Sequence, residues 1–217
     1  MSKFAAARHN MVESQIRTNK VTDPGLLGAL LEVPRENFVP AALQGIAYVD
    51  EDLDLGGGRF LMEPMVMARL IQIAEPRAGD KALVIGCSSG YSTAVLGRLC
   101  ASVVAVESDG MLASQAARTL ADLGLTNAVV ERGALDDGCA VRGPYEVILF
   151  DGAIEILPEA ILDQLAEGGR LVGVVIERGI GRGTLVLRRG GVISRRSVFD
   201  AAVPTLPGFR APPGFVF

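Results

Sequence analysis

The stretch Lys81 to Ala94, KALVIGCSSGYSTA, constrains the fold more than any other. Its apolar run, Ala82 to Ile85, is patterned as a strand buried on both faces of a parallel sheet. A loop of small residues follows, Gly86, Cys87, Ser88, Ser89 and Gly90, and a helix is expected over about 90–99. Strand, small-residue loop and helix together open a nucleotide-binding α/β unit. The small residues let a ligand approach the backbone, and the helix start offers free N–H groups. A dinucleotide loop carries three glycines; here Ser88 stands between Gly86 and Gly90.

The rest of the chain fits such a unit. Residues 5–20 have the spacing of an amphipathic helix, and Asp23-Pro24 reads as an N-cap and first turn of a second helix that stops at Val33-Pro34. Residues 35–40 read as a short helical or irregular segment. The stretch 47–59 is acidic, then ends in Gly56-Gly57-Gly58, and is expected to be a loop or a lid. Pro64 opens a buried helix running to about Ala74. Strands are then expected at 82–85, 102–107, 128–130, 145–151 and 170–176. The helices between them fall at 90–99, 110–123 and 157–165, with a loop over 133–143. Alternation of this kind implies a parallel sheet with helices on both faces. Residues 184–189 and 192–199, separated by Gly190-Gly191, form a hairpin signal, so the sheet should end in an antiparallel pair. The Pro/Gly-rich tail from Ala201 carries the apolar anchors Leu206, Phe209, Phe215 and Phe217, and is expected to lie on the surface or over the site.

One domain is expected over 1–217: a helical extension with its glycine-rich loop (1–62), an α/β core (63–177), and a hairpin with tail (178–217). Composition narrows the function classes. The net charge is −4 and only 5% of residues are aromatic, which argues against a basic or base-stacking nucleic-acid surface. No apolar run approaches the roughly 20 residues that span a bilayer, and the polar N-terminus does not resemble a secretory signal. A cytoplasmic protein is expected, acting on neither nucleic acid nor membrane. Cys87, Cys100 and Cys139 are odd in number and far apart, which points to neither a disulfide framework nor a metal site.

The strand expected to end at Glu107 places a carboxylate about 20 residues after the glycine loop, where it can accept hydrogen bonds from a ribose. Both NAD and S-adenosylmethionine carry that ribose. The serine in the loop and the carboxyl-terminal hairpin favour the second.

The chain resembles the protein-L-isoaspartate O-methyltransferase family. The similar segments are MVESQI (11–16), LEVPRENFVP (31–40), AYVDEDLDLGGG (47–58), EPMVMARLIQ (63–72), GDKALVIGCSSGYSTAVL (79–96) and PYEVILFDGAIEILPEAILDQLAEGGRLV (144–172). The resemblance implies a class I, Rossmann-like methyltransferase fold with S-adenosylmethionine as donor. The acceptor it implies is the α-carboxyl of isoaspartyl residues in a damaged protein or peptide. It assigns Gly86, Cys87, Ser88, Ser89 and Gly90 to the donor's methionine part and Glu107 to its ribose. Gly133, Ala134 and Leu135 are assigned to its adenine, with Asp151, Gly152 and Ala153 at the mouth of the fourth strand.

The sequence departs from the family in the segment that handles the acceptor. The family's Gly-Gln-Thr-Ile-Ser stands here as Gly58-Arg59-Phe60-Leu61-Met62, followed by Glu63. Two hydroxyls that hold the substrate carboxylate are replaced by Phe60 and Met62, and Glu63 adds a negative charge. Arg59 offsets this if it points inward, as a bidentate carboxylate ligand. The family's adenine-side Gly-Asp-Gly becomes Gly133-Ala134-Leu135, and Val84 stands for an acid in the first strand. Arg59, Phe60, Met62 and Glu63 are therefore the acceptor-side candidates. The alternatives they raise are a different acceptor or a catalytically lapsed binding protein. A carboxylate acceptor is already ionised near neutral pH, so no general base is required and no catalytic residue is assigned. The single histidine, His9, lies outside every motif.

Overall fold

A computed structural model describes residues 3–211. Helix α1 (Lys3–Met11) continues through π- and 3-10-helical turns to Asn19 and ends at Lys20 in the left-handed conformation. Helix α2 (Pro24–Glu32) starts at Asp23, whose carboxylate accepts from the Leu26 N–H at 2.7 Å. The glycine-rich stretch is not a plain loop. Leu53–Gly56 (β1) and Arg59–Leu61 (β2) pair antiparallel in a two-stranded sheet of their own. Gly56, Gly57 and Gly58 all have positive φ and make the turn, a conformation glycine adopts without steric cost.

Helix α3 (Pro64–Ala74) follows with Pro64 in its first turn. Acidic residues before it cap its start. Asp52 accepts from the Glu63 N–H at 2.9 Å, and Asp50 from the Met65 N–H at 3.2 Å. Carboxylates suit a helix N-terminus because its first amides lack helical partners.

The remaining elements are β3 (Lys81–Ile85), α4 (Tyr91–Gly97), β4 (Ser102–Glu107), α5 (Gly110–Asp122), β5 (Ala128–Arg132), β6 (Tyr145–Ile154), α6 (Glu159–Leu162), β7 (Leu165–Glu177), β8 (Ile180–Arg189) and β9 (Val192–Asp200). They build a seven-stranded sheet in the order β5-β4-β3-β6-β7-β8-β9. The pairs from β5 to β7 are parallel, and β7-β8-β9 are antiparallel, as the glycine turn at 190–191 implied.

The helix expected over 157–165 shrinks to Glu159–Leu162. Pro158 is its N-cap rather than part of its first turn, and Leu165 is claimed by pairing with Tyr145. The chain leaves β3 toward one edge and returns at β6 on its other side, so the sheet's switch point lies between β3 and β6. Ligands of open α/β sheets collect at the carboxyl ends of strands there.

The helical N-terminal part, α3 and α4 pack on one face of the sheet. The other face has a separate core of Leu83, Ile85, Ile148 and Phe150, closed by Ile161 and by two tail residues, Leu206 and Phe209. The tail is thus part of the fold. Its Leu206 N–H donates to Ala153 O at 2.8 Å, the Ala153 N–H donates to Pro204 O at 2.9 Å, and Phe209 stands edge-on to Phe150 at 5.3 Å. The anchors Phe215 and Phe217 lie outside the described residues.

Candidate active site

The loop after β3 turns tightly because Gly86 and Gly90 have φ of +74° and +96°. Ser88 is also left-handed, at φ +47°, although it has a side chain. The Gly86 amide donates to Val106 O at 2.9 Å, tying the loop to β4. Cys87 is fully buried in the core, and burial raises its thiol pKa well above the ordinary value, so it serves packing rather than chemistry. The hydroxyls of Ser88 and Ser89 are buried without a hydrogen-bond partner among the described residues.

Glu107 ends β4 with its side chain wholly buried. Both of its oxygens are engaged. Oε2 accepts from the Ser88 N–H at 2.7 Å and from Arg59 Nη2 at 2.9 Å. Oε1 accepts from Ser108 N at 2.9 Å, Asp109 N at 3.0 Å, Arg59 Nε at 3.2 Å and Ser108 Oγ at 3.3 Å. Arg59 also donates to Gly86 O at 2.7 Å.

Arg59 therefore points inward, but toward the residue expected to hold a ribose. Its direction follows from β2: Arg59 and Leu61 share the buried face, and Phe60 faces the other way, half-buried. A Cβ added at Gly86 would meet Leu206 Cδ2 at 2.7 Å and Arg59 Nη2 at 2.9 Å. Two side chains thus lie directly on the glycine loop.

Next to them is a cavity of only about 10 Å3, room for no more than one water. Arg59, Phe60, Met62, Asp151, Gly152 and Leu206 line it. Asp151 is buried and accepts from Ser92 Oγ at 2.6 Å; burial pushes its pKa up to about 6. Glu63 stands half-buried after Met62, pushed up to about 7 by burial first and then by Asp52, Asp50 and Glu51.

Of the residues assigned to an adenine, Gly133 donates its N–H to Glu107 O at 3.1 Å, Ala134 is exposed and Leu135 is buried in the second core. His9 is exposed on α1.

Arg35 is the contributor that sequence reasoning missed. Arg35 is fully buried beneath the hairpin, donating to Ala47 O at 2.7 Å and Met62 O at 2.8 Å, with its guanidinium 4.8 Å from the Tyr91 ring centroid. It fixes the backbone of the acceptor-side segment. Nothing local marked it, since Arg35 stands beside Glu36 and Asn37 in a segment that reads as surface. The tail, expected on the surface or over the site, takes the second place in part: Val203 to Leu206 form one wall of the cavity.

Comparison with known proteins fits this geometry. The family model described as Protein-L-isoaspartate(D-aspartate) O-methyltransferase matches residues 6–197. A protein-L-isoaspartate O-methyltransferase of Koribacter versatilis (strain Ellin345) is 34% identical over 208 residues, 96% of this chain and 94% of its own length. One from Rhodopseudomonas palustris (strain HaA2) is 39% identical over 171 residues, 79% of this chain and 70% of its own. A solved protein-L-isoaspartate O-methyltransferase superposes with a TM-score of 0.82 at 24% identity, covering 93% of this chain and 66% of that one. A Plasmodium falciparum structure described as a putative protein-L-isoaspartate O-methyltransferase in complex with S-adenosyl-L-homocysteine gives 0.78 at 19% identity, covering 95% and 99%. Those two establish the fold, class I methyltransferase, and the sequence relatives establish the lineage: the chain belongs to the protein-L-isoaspartate(D-aspartate) O-methyltransferase family.

Proposed function

We propose that the protein is an S-adenosylmethionine-dependent methyltransferase that esterifies the α-carboxyl of isoaspartyl residues in damaged proteins or peptides. The observation that carries this reading is the buried Glu107 beside the Gly86–Gly90 loop at the sheet's switch point, in a chain of this family.

The residues fit the donor in chemistry. The loop backbone carries no side chain at Gly86, and Gly90 lets the loop pack closely on Ala116 of α5. Ser88 and Ser89 present unpartnered hydroxyls, and Glu107 is an acceptor for a ribose diol. At Gly86 what stands in the way is two side chains, Arg59 and Leu206, not backbone. Gly86 to Gly90 would hold the methionine part, Glu107 the ribose, Gly133 to Leu135 the adenine side, and Asp151 the mouth. The donor supplies an activated methyl group. Arg59, Phe60, Met62 and Glu63 would meet the acceptor.

What the protein contributes is placement. An ionised carboxylate is nucleophilic without a base, and holding it in line in a closed pocket supplies the rate. The hairpin β1–β2, the loop after β3 and the segment 203–206 all border one site, which supports a single catalytic unit over residues 1–62, 63–177 and 178–217. Among the described residues no helix is long and apolar enough to cross a membrane. All three cysteines are free thiols, which suits action in a reducing cytoplasm.

The test is transfer of tritiated methyl from S-adenosylmethionine to an isoaspartyl peptide, read as base-labile ester. The expected result is ester on the isoaspartyl peptide and none on its aspartyl counterpart. A protein that binds S-adenosylhomocysteine in a calorimeter yet forms no such ester would overturn the acceptor assignment alone.

A further inference from the structure

Arg59 is in the way of the donor, and that position carries a second consequence for the acceptor. Of the donors on Glu107, Ser88, Ser108 and Asp109 give main-chain N–H groups fixed by the loops. Arg59 gives two bonds from a long side chain on a hairpin outside the main sheet. A ribose diol donates two hydrogen bonds, so Arg59 is the partner it can replace.

The cavity beside it needs what Arg59 would bring. An acceptor carboxylate there finds Phe60 and Met62, which have no hydroxyl, the acidic side chains of Asp52 and Asp151, and one neutral hydroxyl residue, Thr205 of the tail, which offers no charge. Arg59 is the only Arg or Lys that lines this cavity among the described residues. Arg35, the other buried cation nearby, is held on the carbonyls of Ala47 and Met62. A planar guanidinium fork matches a carboxylate bidentately.

We propose that Arg59 has two working positions: on Glu107 it closes the donor site, and when the donor ribose takes Glu107 it swings off toward Phe60, Met62 and Asp151, the one-water cavity between them widening as Leu206 also leaves Gly86, and receives the acceptor carboxylate. Donor binding then precedes and promotes acceptor binding. The proposal rests on the methyltransferase reading above, and it assigns to one residue the work of the two missing hydroxyls.

The experiment is titration calorimetry with S-adenosylhomocysteine on the wild type and on Arg59→Gln, which carries the residue the family has at this position. It is paired with binding of an isoaspartyl hexapeptide with and without saturating S-adenosylhomocysteine. Arg59→Gln is expected to bind S-adenosylhomocysteine at least tenfold tighter than wild type. The peptide is expected to bind wild type at least tenfold tighter when S-adenosylhomocysteine is present, and Arg59→Gln to lose that enhancement. Arg59→Lys, which keeps the charge without the fork, should retain part of it. Equal S-adenosylhomocysteine affinity in wild type and Arg59→Gln overturns the proposal and leaves the methyltransferase reading standing. Absence of binding to both proteins overturns the two together. If Arg59→Gln fails to fold, the wild-type peptide titrations decide alone, since equal affinity with and without S-adenosylhomocysteine refutes the coupling.

Discussion

Two buried arginine–carboxylate pairs sit at opposite ends of the same parallel strands. At the amino ends, Arg170 of β7 donates to Asp80 at 2.5 Å and to the last carbonyls of α3, Ala74 at 2.8 Å and Glu75 at 2.8 Å. At the carboxyl ends, Arg59 holds Glu107. The first pair joins a strand of the main sheet to a helix packed on it, the guanidinium reaching two carbonyls at the end of α3 and a carboxylate that has one main-chain donor besides. The second joins the main sheet to a two-stranded hairpin, and Glu107 keeps its main-chain donors if the arginine leaves. Two pairs alike in chemistry thus differ in what depends on them, framework at one end and access at the other.

The largest expected effect tests the framework end. Arg170→Met leaves Asp80 buried with a single main-chain donor, Arg77 N at 2.9 Å, and strips two α3 carbonyls of their partner. Breaking a buried pair by removing one side costs about 3–5 kcal/mol, read as the shift in urea unfolding, with S-adenosylhomocysteine affinity of the folded protein unchanged. Arg59→Gln should cost less, about 1–2 kcal/mol, because Glu107 remains hydrogen-bonded. Equal losses would erase the distinction between the two ends.

Glu107→Ala sharpens it further. Donor affinity should fall by about 1–3 kcal/mol, the worth of charged hydrogen bonds to the ribose, measured by the same calorimetry. That sign is opposite to the one expected for Arg59→Gln. Two changes to one ion pair that move affinity in the same direction would mean the pair is not a competitor of the donor.

The carboxyl end should also be the pH-sensitive one. Burial raises the Asp151 carboxyl from 3.8 to about 6. The folded state then holds a proton that the unfolded state has released, so stability declines as pH rises from about 4 to about 6 and levels off above. Glu63, raised to about 7, extends the decline weakly, since it is half-exposed and screened. Asp151→Asn should flatten the profile of urea midpoints between pH 4 and pH 7; an unchanged slope would place the sensitivity elsewhere.

Much of the fold was legible because it is written locally. The apolar run 82–85, the small loop, the capping Asp23-Pro24 and the paired glycines 190–191 each specify their own backbone. Glu107 was legible for the same reason, as the end of a short strand at a known offset from the loop. The partners were not. Arg59 and Glu107 are 48 residues apart and Arg170 and Asp80 are 90 apart, and no local pattern states which carboxylate an arginine will choose. The hairpin β1–β2 was hidden because three glycines and an acidic run look like a loop. The acids in fact cap α3, and the glycines make the turn that swings Arg59 inward. The helix expected over 157–165 failed where strand pairing at Leu165 outweighed helical spacing.

The smallest effect expected is at Ser88, at the carboxyl end, on the loop that donates to Glu107. Its left-handed backbone costs a residue with a Cβ about 1–2 kcal/mol, and its buried hydroxyl has no partner among the described residues. The framework end carries a left-handed residue of its own in Glu75, at φ +47°, but there it is the exposed cap of α3 rather than a buried loop residue. Ser88→Gly relieves the strain and removes the hydroxyl, against about 0.5–1 kcal/mol of added unfolded-state entropy. The variant should gain about 1 kcal/mol, seen as a higher urea midpoint with unchanged slope. Backbone strain of this kind clusters at ligand sites. The same variant should therefore bind S-adenosylhomocysteine several-fold more weakly, because the serine hydroxyl is left to pair with the donor. A gain in stability with no loss of affinity would leave Ser88 a tolerated substitution in the loop and move the donor's recognition onto its main-chain groups and Glu107.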